Sequence, residues 1–331
     1  MIAPECPTLD LRGLQILPGL INAHDHLQFA LFPRLGSGPY PNATAWARDI
    51  YHPESEPIRS HLRVPKRLRL LWGGLRNLLC GVTTVSHHDP YDPVFDEDFP
   101  VEVAKHGWAH SLEFSPDVRE LFAATPSNQP FVIHLGEGTD ADAAQEVFRL
   151  HEMGALGPRT VLVHAVGLTR EGWELAASAG ASIIWCPRSN LFSLGRTLDL
   201  SAIPAGVAVA LGSDSPLTAE GDFLDETRSA GGFSSAAERV LRLPSRPDDW
   251  RAVHSFDGPP ELVVRQGRIA LIRPERAEAL APELRREFFP LTVEGRPKVL
   301  VRWNTPRLLR ETAEALGTSE VRLGGRAVHA A

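Results

Sequence analysis

The segment PGLINAHDH, Pro18–His26, ends an apolar run with two histidines one residue apart. On a strand, residues i and i+2 point to the same face, so His24 and His26 project together. The same pattern recurs further along the chain. FVIHLGEG (Phe131–Gly138) carries His134 in an apolar run with Glu137 three residues on. VLVHAVG (Val161–Gly167) ends its run on His164, and ALGSDSP (Ala210–Pro216) runs into Asp214. Short runs rich in Val, Ile and Leu read as parallel strands buried on both faces. Strands are predicted over Gln15–Ala23, Val82–Ser86, Trp108–Glu113, Phe131–Leu135, Thr160–His164, Ser182–Cys186 and Val207–Gly212. Helical patterns lie between them at Pro65–Leu79, Ala141–Met153, Arg170–Ala179 and Asp222–Leu241. This alternation predicts an α/β fold, with a TIM-like (β/α) barrel first and an open doubly wound sheet second.

The strand count is seven, where a full barrel has eight. Only 17 residues separate Glu113 from Phe131, too few for a complete strand–helix–strand excursion. The expectation is a barrel with a β/α unit missing, or with a very short eighth strand. After Leu243 the texture changes. Leu262–Val264, Arg268–Ile272, Val299–Arg302 and Arg322–Leu323 read as strands of a smaller element, with a helix near Pro306–Leu316. The predicted organisation is a barrel over residues 15–243 and a small β-rich accessory element from residues 1–14 plus 244–331.

The 331 residues include 34 Lys and Arg against 41 Asp and Glu, a formal charge of −7, with no block of like charges. Mild acidity of this kind predicts no nucleic-acid partner and no anionic-membrane partner. Three cysteines, Cys6, Cys80 and Cys186, lie far apart and predict no disulfide framework, which fits a reducing compartment. No 18-residue apolar run occurs, and MIAPECPTLDLRG has no basic stretch followed by an apolar one, so a cytoplasmic location is expected.

Two imidazoles at H-x-H spacing can share one divalent cation, although such a pair also arises by chance. His134, His164 and Asp214 each sit at or just past the C-terminal end of an apolar strand. A buried ionisable group there is costly unless it is paired or metal-bound. Singly, each reads equally as a core histidine or a helix cap. Four such placements on barrel strands point to one mouth, because active sites of these barrels lie at that face.

PGLINAHDH, HLGEG, VLVHA, the CPRSN of Cys186–Asn190, and LGSDS, in that order, resemble the amidohydrolase superfamily, in its cytosine deaminase/chlorohydrolase-like branch. The resemblance covers roughly residues 15 to 240. It implies a distorted barrel with a small β-sandwich. It also implies one metal on His24, His26, His134 and Asp214, a proton shuttle at Glu137, and a histidine at His164 that polarises the group under attack. Three neutral imidazoles and one carboxylate suit zinc first and iron second. Such a metal lowers the pKa of water towards neutrality. Glu137 can then protonate a ring nitrogen and a leaving amine, Asp214 can accept or orient a proton, and His164 can donate to a developing anion. Superfamily members with two metals usually bridge them with a carboxylated lysine. Lys66, Lys105 and Lys298 are the only lysines, and none is placed for bridging, so one metal is expected.

Weaker substrate-binding candidates are His87 and His88 at a strand end, Gln28 beyond the metal pair, and Trp46 on a polar stretch as a lid. The bland readings are rim solvation for the histidines and plain packing for Trp46. The expected function is deamination of a small cyclic amidine or heterocycle by metal-activated water, that is, hydrolysis of a non-peptide C–N bond. The rivals are ring-opening hydrolysis of a cyclic amide and a non-catalytic metal-binding barrel. A homo-oligomer is compatible with all three.

Overall fold

The structure, a computed structural model, describes residues 8–115, 117–231 and 246–330. Eight parallel strands form two arcs. Leu20–Asp25 (β2), Val82–His87 (β3) and Glu102–Val103 (β4) make one. Gly107–Ala109 (β5), Phe131–Leu135 (β6), Thr160–His164 (β7), Ser182–Trp185 (β8) and Val209–Leu211 (β9) make the other. At the far edge, the backbone N–H groups of Ser213 and Asp214 both donate to the His24 carbonyl at 3.0 Å. The end of the last strand is thereby held against the first. Helices follow several strands, among them Lys66–Leu78 (the third helix, α3), Ala141–Glu152 (α5), Arg170–Ser178 (α6), Pro187–Leu194 (α7) and Phe223–Ser229 (α8). Ala43–Ile50 (α1), Ile58–Arg63 (α2) and Val118–Ala124 (α4) lie before and between them.

The predicted strand Gln15–Ala23 is two strands. Gln15–Pro18 (β1) pairs antiparallel with Trp250–Val253 (β10), and only Leu20–Asp25 enters the parallel arc. Gly19 is the pivot: a Cβ there would lie 2.1 Å from Thr83 Oγ1, so no side chain fits where the chain changes sheets. The eighth strand exists, but not in the expected gap. It is the two-residue β4, linked to β5 by three residues. Between Glu113 and Phe131 the described residues hold helix α4 and no strand. The predicted strand Trp108–Glu113 stops at Ala109, and the next carbonyl, of His110, accepts from both the backbone N–H and Nδ1 of His134. The predicted helix Asp222–Leu241 is described only to Ser229, and residues 232–245 lie outside the described residues.

The remaining strands belong to one antiparallel sheet, in the order β1-β10-β11-β12-β14-β13-β16-β15. They are Leu262–Arg265 (β11), Arg268–Ile272 (β12), Phe289–Val293 (β13), Val299–Val301 (β14), Arg322–Leu323 (β15) and Arg326–His329 (β16). β10, β13 and β16 are additions to the sequence reading. The helix Thr305–Leu316 packs back on the parallel part, where fully buried Trp72 of α3 donates to Thr312 at 2.8 Å. Arg296 and Arg326 grip Asp222, the N-cap of α8, at 2.7 and 2.9 Å.

Candidate active site

Inside the parallel arcs, Ala23, Val132, Val163, Ile184, Cys186 and Ala210 form a small buried cluster drawn from β2 and β6–β9. Two residues beyond Val132 on β6 comes His134, which alternation carries into the space above that cluster, and Asp214 follows three residues past the end of β9. His24 follows Ala23 directly. A register irregularity between Asn22 and Asp25 resets the phase, and His24 and His26 then share the site. Asp25 of the H-D-H triplet points elsewhere and accepts from Asn22, Asn77 and Arg76, clamping β2 to α3.

His164 follows Val163 and by alternation would face the helices. It does not, because His164 and Ala165 have φ values of 74° and 54°. Asp214 is a third residue of this kind, at 53°. Left-handed backbone is uncommon outside glycine and costs energy that the surrounding structure must hold. Here it coincides with two of the residues picked out from the sequence.

The donor atoms converge. His134 Nε2 lies 3.1 Å from His24 Nε2, and Asp214 Oδ1 lies 3.7 Å from Nε2 of both His24 and His26. Nitrogens on one zinc at tetrahedral angles stand about 3.3 Å apart. His26 donates from Nδ1 to Asp89 Oδ2 at 2.8 Å, and His134 donates from Nδ1 to the His110 carbonyl at 2.8 Å. With Nδ1 so engaged, each of these two rings can turn Nε2 to the centre as the ligating atom once that nitrogen carries no proton. Burial pushes the His24 imidazole down to about 3 and that of His134 well below the usual value, the neutral state that a metal ligand needs. Burial also opposes charge on His26, but the Asp89 carboxylate outweighs it and lifts this ring to about 9. Asp214 Oδ2 accepts from Ser189 at 2.6 Å and Thr218 at 3.1 Å, which leaves Oδ1 for the centre. Three imidazoles and one carboxylate oxygen, buried and convergent, are a donor set that fits a zinc ion.

Glu137 and His164 form a second group with Asp214, their ligand atoms within 4.8 Å of one another. Glu137 Oε2 is 3.5 Å from His164 Nε2, which is buried and has no hydrogen-bond partner. Burial, reinforced by the nearby Asp214 and Glu146 carboxylates, raises Glu137 well above the usual glutamate range, so it is held as the acid. His164 Nδ1 donates to Asn190 Oδ1 at 2.7 Å. The loop over residues 36–42 rests on this edge: Ala43 N donates to the Glu137 carbonyl at 2.8 Å, and Tyr40 N to that of Ser193 at 2.7 Å.

No known family profile matches the chain. Over 274 residues it is 28% identical to a 5-methylthioadenosine/S-adenosylhomocysteine deaminase of Halobacterium salinarum, an overlap of 67% of this chain and 63% of that protein. The chain therefore spans 63% of that relative's length. Its fold is similar to that of an adenosine deaminase from Xanthomonas campestris with bound zinc. The TM-score is 0.60 at 16% identity, over 92% of this chain and 85% of the other. It is also similar to atrazine chlorohydrolase from Arthrobacter aurescens with zinc, with a TM-score of 0.62 at 17% identity over 92% and 89%. The chain is thus similar in sequence to a deaminase and in fold to two zinc-bound enzymes.

Of the amidohydrolase candidates read from the sequence, His24, His26, His134, Glu137, His164 and Asp214 are brought together. His88 joins them: its ring centroid is 4.2 Å from that of His134, and its Nε2 donates to the Ala109 carbonyl. The remaining candidates are placed differently. His87 does not solvate a rim. It is buried, accepts from the Leu27 backbone N–H and packs on Phe95. Gln28 spends its amide nitrogen on Asp89 at 2.6 Å. Trp46 is on helix α1 rather than in a loop, donates to the Leu35 carbonyl and packs against Phe32, Ile58 and Leu217. The sequence reading did not single out His110, Glu146, Ser189, Asn190 or Thr218. Ser189 and Asn190 lie within the CPRSN motif, which was the available signal, whereas Thr218 and Glu146 carry none. No described helix is long and apolar enough to cross a membrane.

Proposed function

We propose that this chain is a metal-dependent deaminase of a small heterocycle carrying a cyclic amidine, acting within a (β/α) barrel formed by β2–β9 with the antiparallel sheet as accessory element. One observation carries the reading: a half-buried glutamic acid and a bare imidazole nitrogen face each other at 3.5 Å beside the convergent donors. His24, His26, His134 and Asp214 would hold the ion, zinc being the metal named with two similar folds. When bound, the metal supplies Lewis acidity and lowers the pKa of water.

The chain's own residues handle the protons. Glu137, kept protonated by burial and its acidic neighbours, can give its proton to a ring nitrogen and carry the next one to the departing amine. His164 enters with Nε2 unprotonated, because Asn190 holds the proton on Nδ1. It donates to developing anionic charge only after taking a proton, and Glu137 is the acid within reach. Asp214, with Oδ2 saturated by two hydroxyls, serves as a ligand and charge partner rather than as a free base. The relative's name makes 6-aminopurine nucleosides the first substrates to try.

The test is ammonia release from 6-aminopurine nucleosides, aminopyrimidines and aminotriazines by the zinc-loaded protein. Glu137→Gln should keep the metal and lose turnover by about 10²–10⁴. Metal loss in that variant would make Glu137 a ligand, and full activity would refute the shuttle.

A further inference from the structure

We propose that Glu137, His164 and Asp214 form a second, weaker divalent-cation site, separate from the three-histidine centre, and that filling it silences the enzyme. The inhibitory half rests on the deaminase reading above, whereas the binding half does not.

The ligand atoms fall into two foci. His24, His26 and His134 converge within 4.8 Å of one another, and so do Glu137, His164 and Asp214. Asp214 reaches both, since its Oδ1 is 3.7 Å from His24 and His26. A single ion on the first focus leaves His164 Nε2 and Glu137 without a metal contact. His164 Nε2 is buried, has no hydrogen-bond partner, and belongs to a side chain only 1% exposed. Its ring is already set as a ligand's ring is set, with Nδ1 donating to Asn190 so that the lone pair on Nε2 faces the carboxylate. The 3.5 Å from that nitrogen to Glu137 Oε2 matches two donors on one ion of zinc size. One imidazole and two carboxylates suit zinc, cobalt, manganese or iron in the divalent state.

Sharing Asp214 makes the second site the weaker one. The carboxylate must divide its charge between two ions, and two cations a few ångströms apart repel. Occupancy ties up the two groups that move protons in the proposed reaction. The chain then needs one metal for activity and is inhibited by a second.

The test is metal titration of the stripped full-length protein with cobalt(II) and zinc(II), read by equilibrium dialysis and by the visible absorption of cobalt. The expected result is one tight equivalent and a second at least tenfold weaker. His164→Gln and Glu137→Gln should each keep the first and weaken the second tenfold or more, with circular dichroism confirming the fold. In the parent, ammonia release should fall over the concentration range that fills the second site. One equivalent only, up to millimolar free metal, overturns the proposal. So does a second equivalent indifferent to both substitutions. Loss of the first equivalent in His24→Ala is scored separately, so the three-histidine centre can fail or stand independently of the second site.

Discussion

His26 and Asp89 meet Nδ1 to Oδ2 at 2.8 Å, and Gln28 fixes the same carboxylate oxygen from 2.6 Å. The three converging imidazoles thus differ in what stands behind them. His26 has a carboxylate, His134 a backbone carbonyl, and His24 Nδ1 has no hydrogen-bond partner. A carboxylate behind a ligating imidazole fixes the ring and raises its basicity, and losing such a partner typically costs about 10–100-fold in metal affinity. Asp89→Ala should therefore weaken the first metal equivalent by about that factor. Asp89→Asn, which can still accept from Nδ1, should recover part of it. Equal affinity in Asp89→Ala and the parent, measured by chelator competition, would remove Asp89 from the metal's support.

Helix α7 serves two site residues through consecutive side chains. Ser189 donates to Asp214, and Asn190 accepts from His164. Asn190 is itself held by Thr197, which also accepts from Trp185. Unpairing a buried polar group costs about 1–3 kcal/mol, and each 1.36 kcal/mol is a factor of ten in rate. Asn190→Ala should lower turnover by about 10–100-fold with metal affinity unchanged. Ser189→Ala should show the opposite split, weakening metal retention first. If both variants lose metal and turnover in the same proportion, the division of labour along α7 is wrong.

Gly212 sets how closely the last strand approaches the first. A Cβ on it would meet His24 Cβ at 2.6 Å, Ile184 at 2.9 Å and the Cys186 sulfur at 3.1 Å. All three neighbours are buried, so relief requires β2 and β9 to part. Overpacking of this kind costs about 1–3 kcal/mol, and metal ligation tolerates displacements of only about 0.2 Å. Gly212→Ala should lower the melting temperature and weaken metal binding together. A variant that melts like the parent and holds metal normally would show the contact to be soft.

The ends of β2, β6, β7 and β9 are legible in the sequence because each pairs a local apolar run with a polar residue at a fixed offset. Those four runs are enough to place His24, His26, His134, His164 and Asp214 at one mouth. What escapes is non-local. Asp89 meets His26 across 63 residues and Asn190 meets His164 across 26, and no periodicity encodes either pairing. The strand change at Gly19 escapes because Gln15–Ala23 is apolar on both sides of it. The two-residue β4 is too short to show any alternation.

Glu226 gives the fold a pH dependence of its own. It is buried on α8 and accepts from the Arg188 backbone N–H at 2.8 Å, with the Arg188 guanidinium 3.5 Å away. Burial pushes its carboxyl up to about 8, although Arg188 pulls it down. The native state therefore binds this proton more tightly than the unfolded chain, where a glutamate titrates near 4.3. The resulting stability is complete below that unfolded value and is lost as pH rises through about 8. The slope from one such group is at most about 1.4 kcal/mol per pH unit. Glu226→Gln keeps an acceptor for the Arg188 N–H and cannot ionise. It should unfold like the parent at pH 3.5, below the unfolded value, and resist urea better than the parent at pH 8.5. Identical pH profiles for the two proteins would mean that Glu226 is ionised in the folded state, with Arg188 rather than burial deciding its charge.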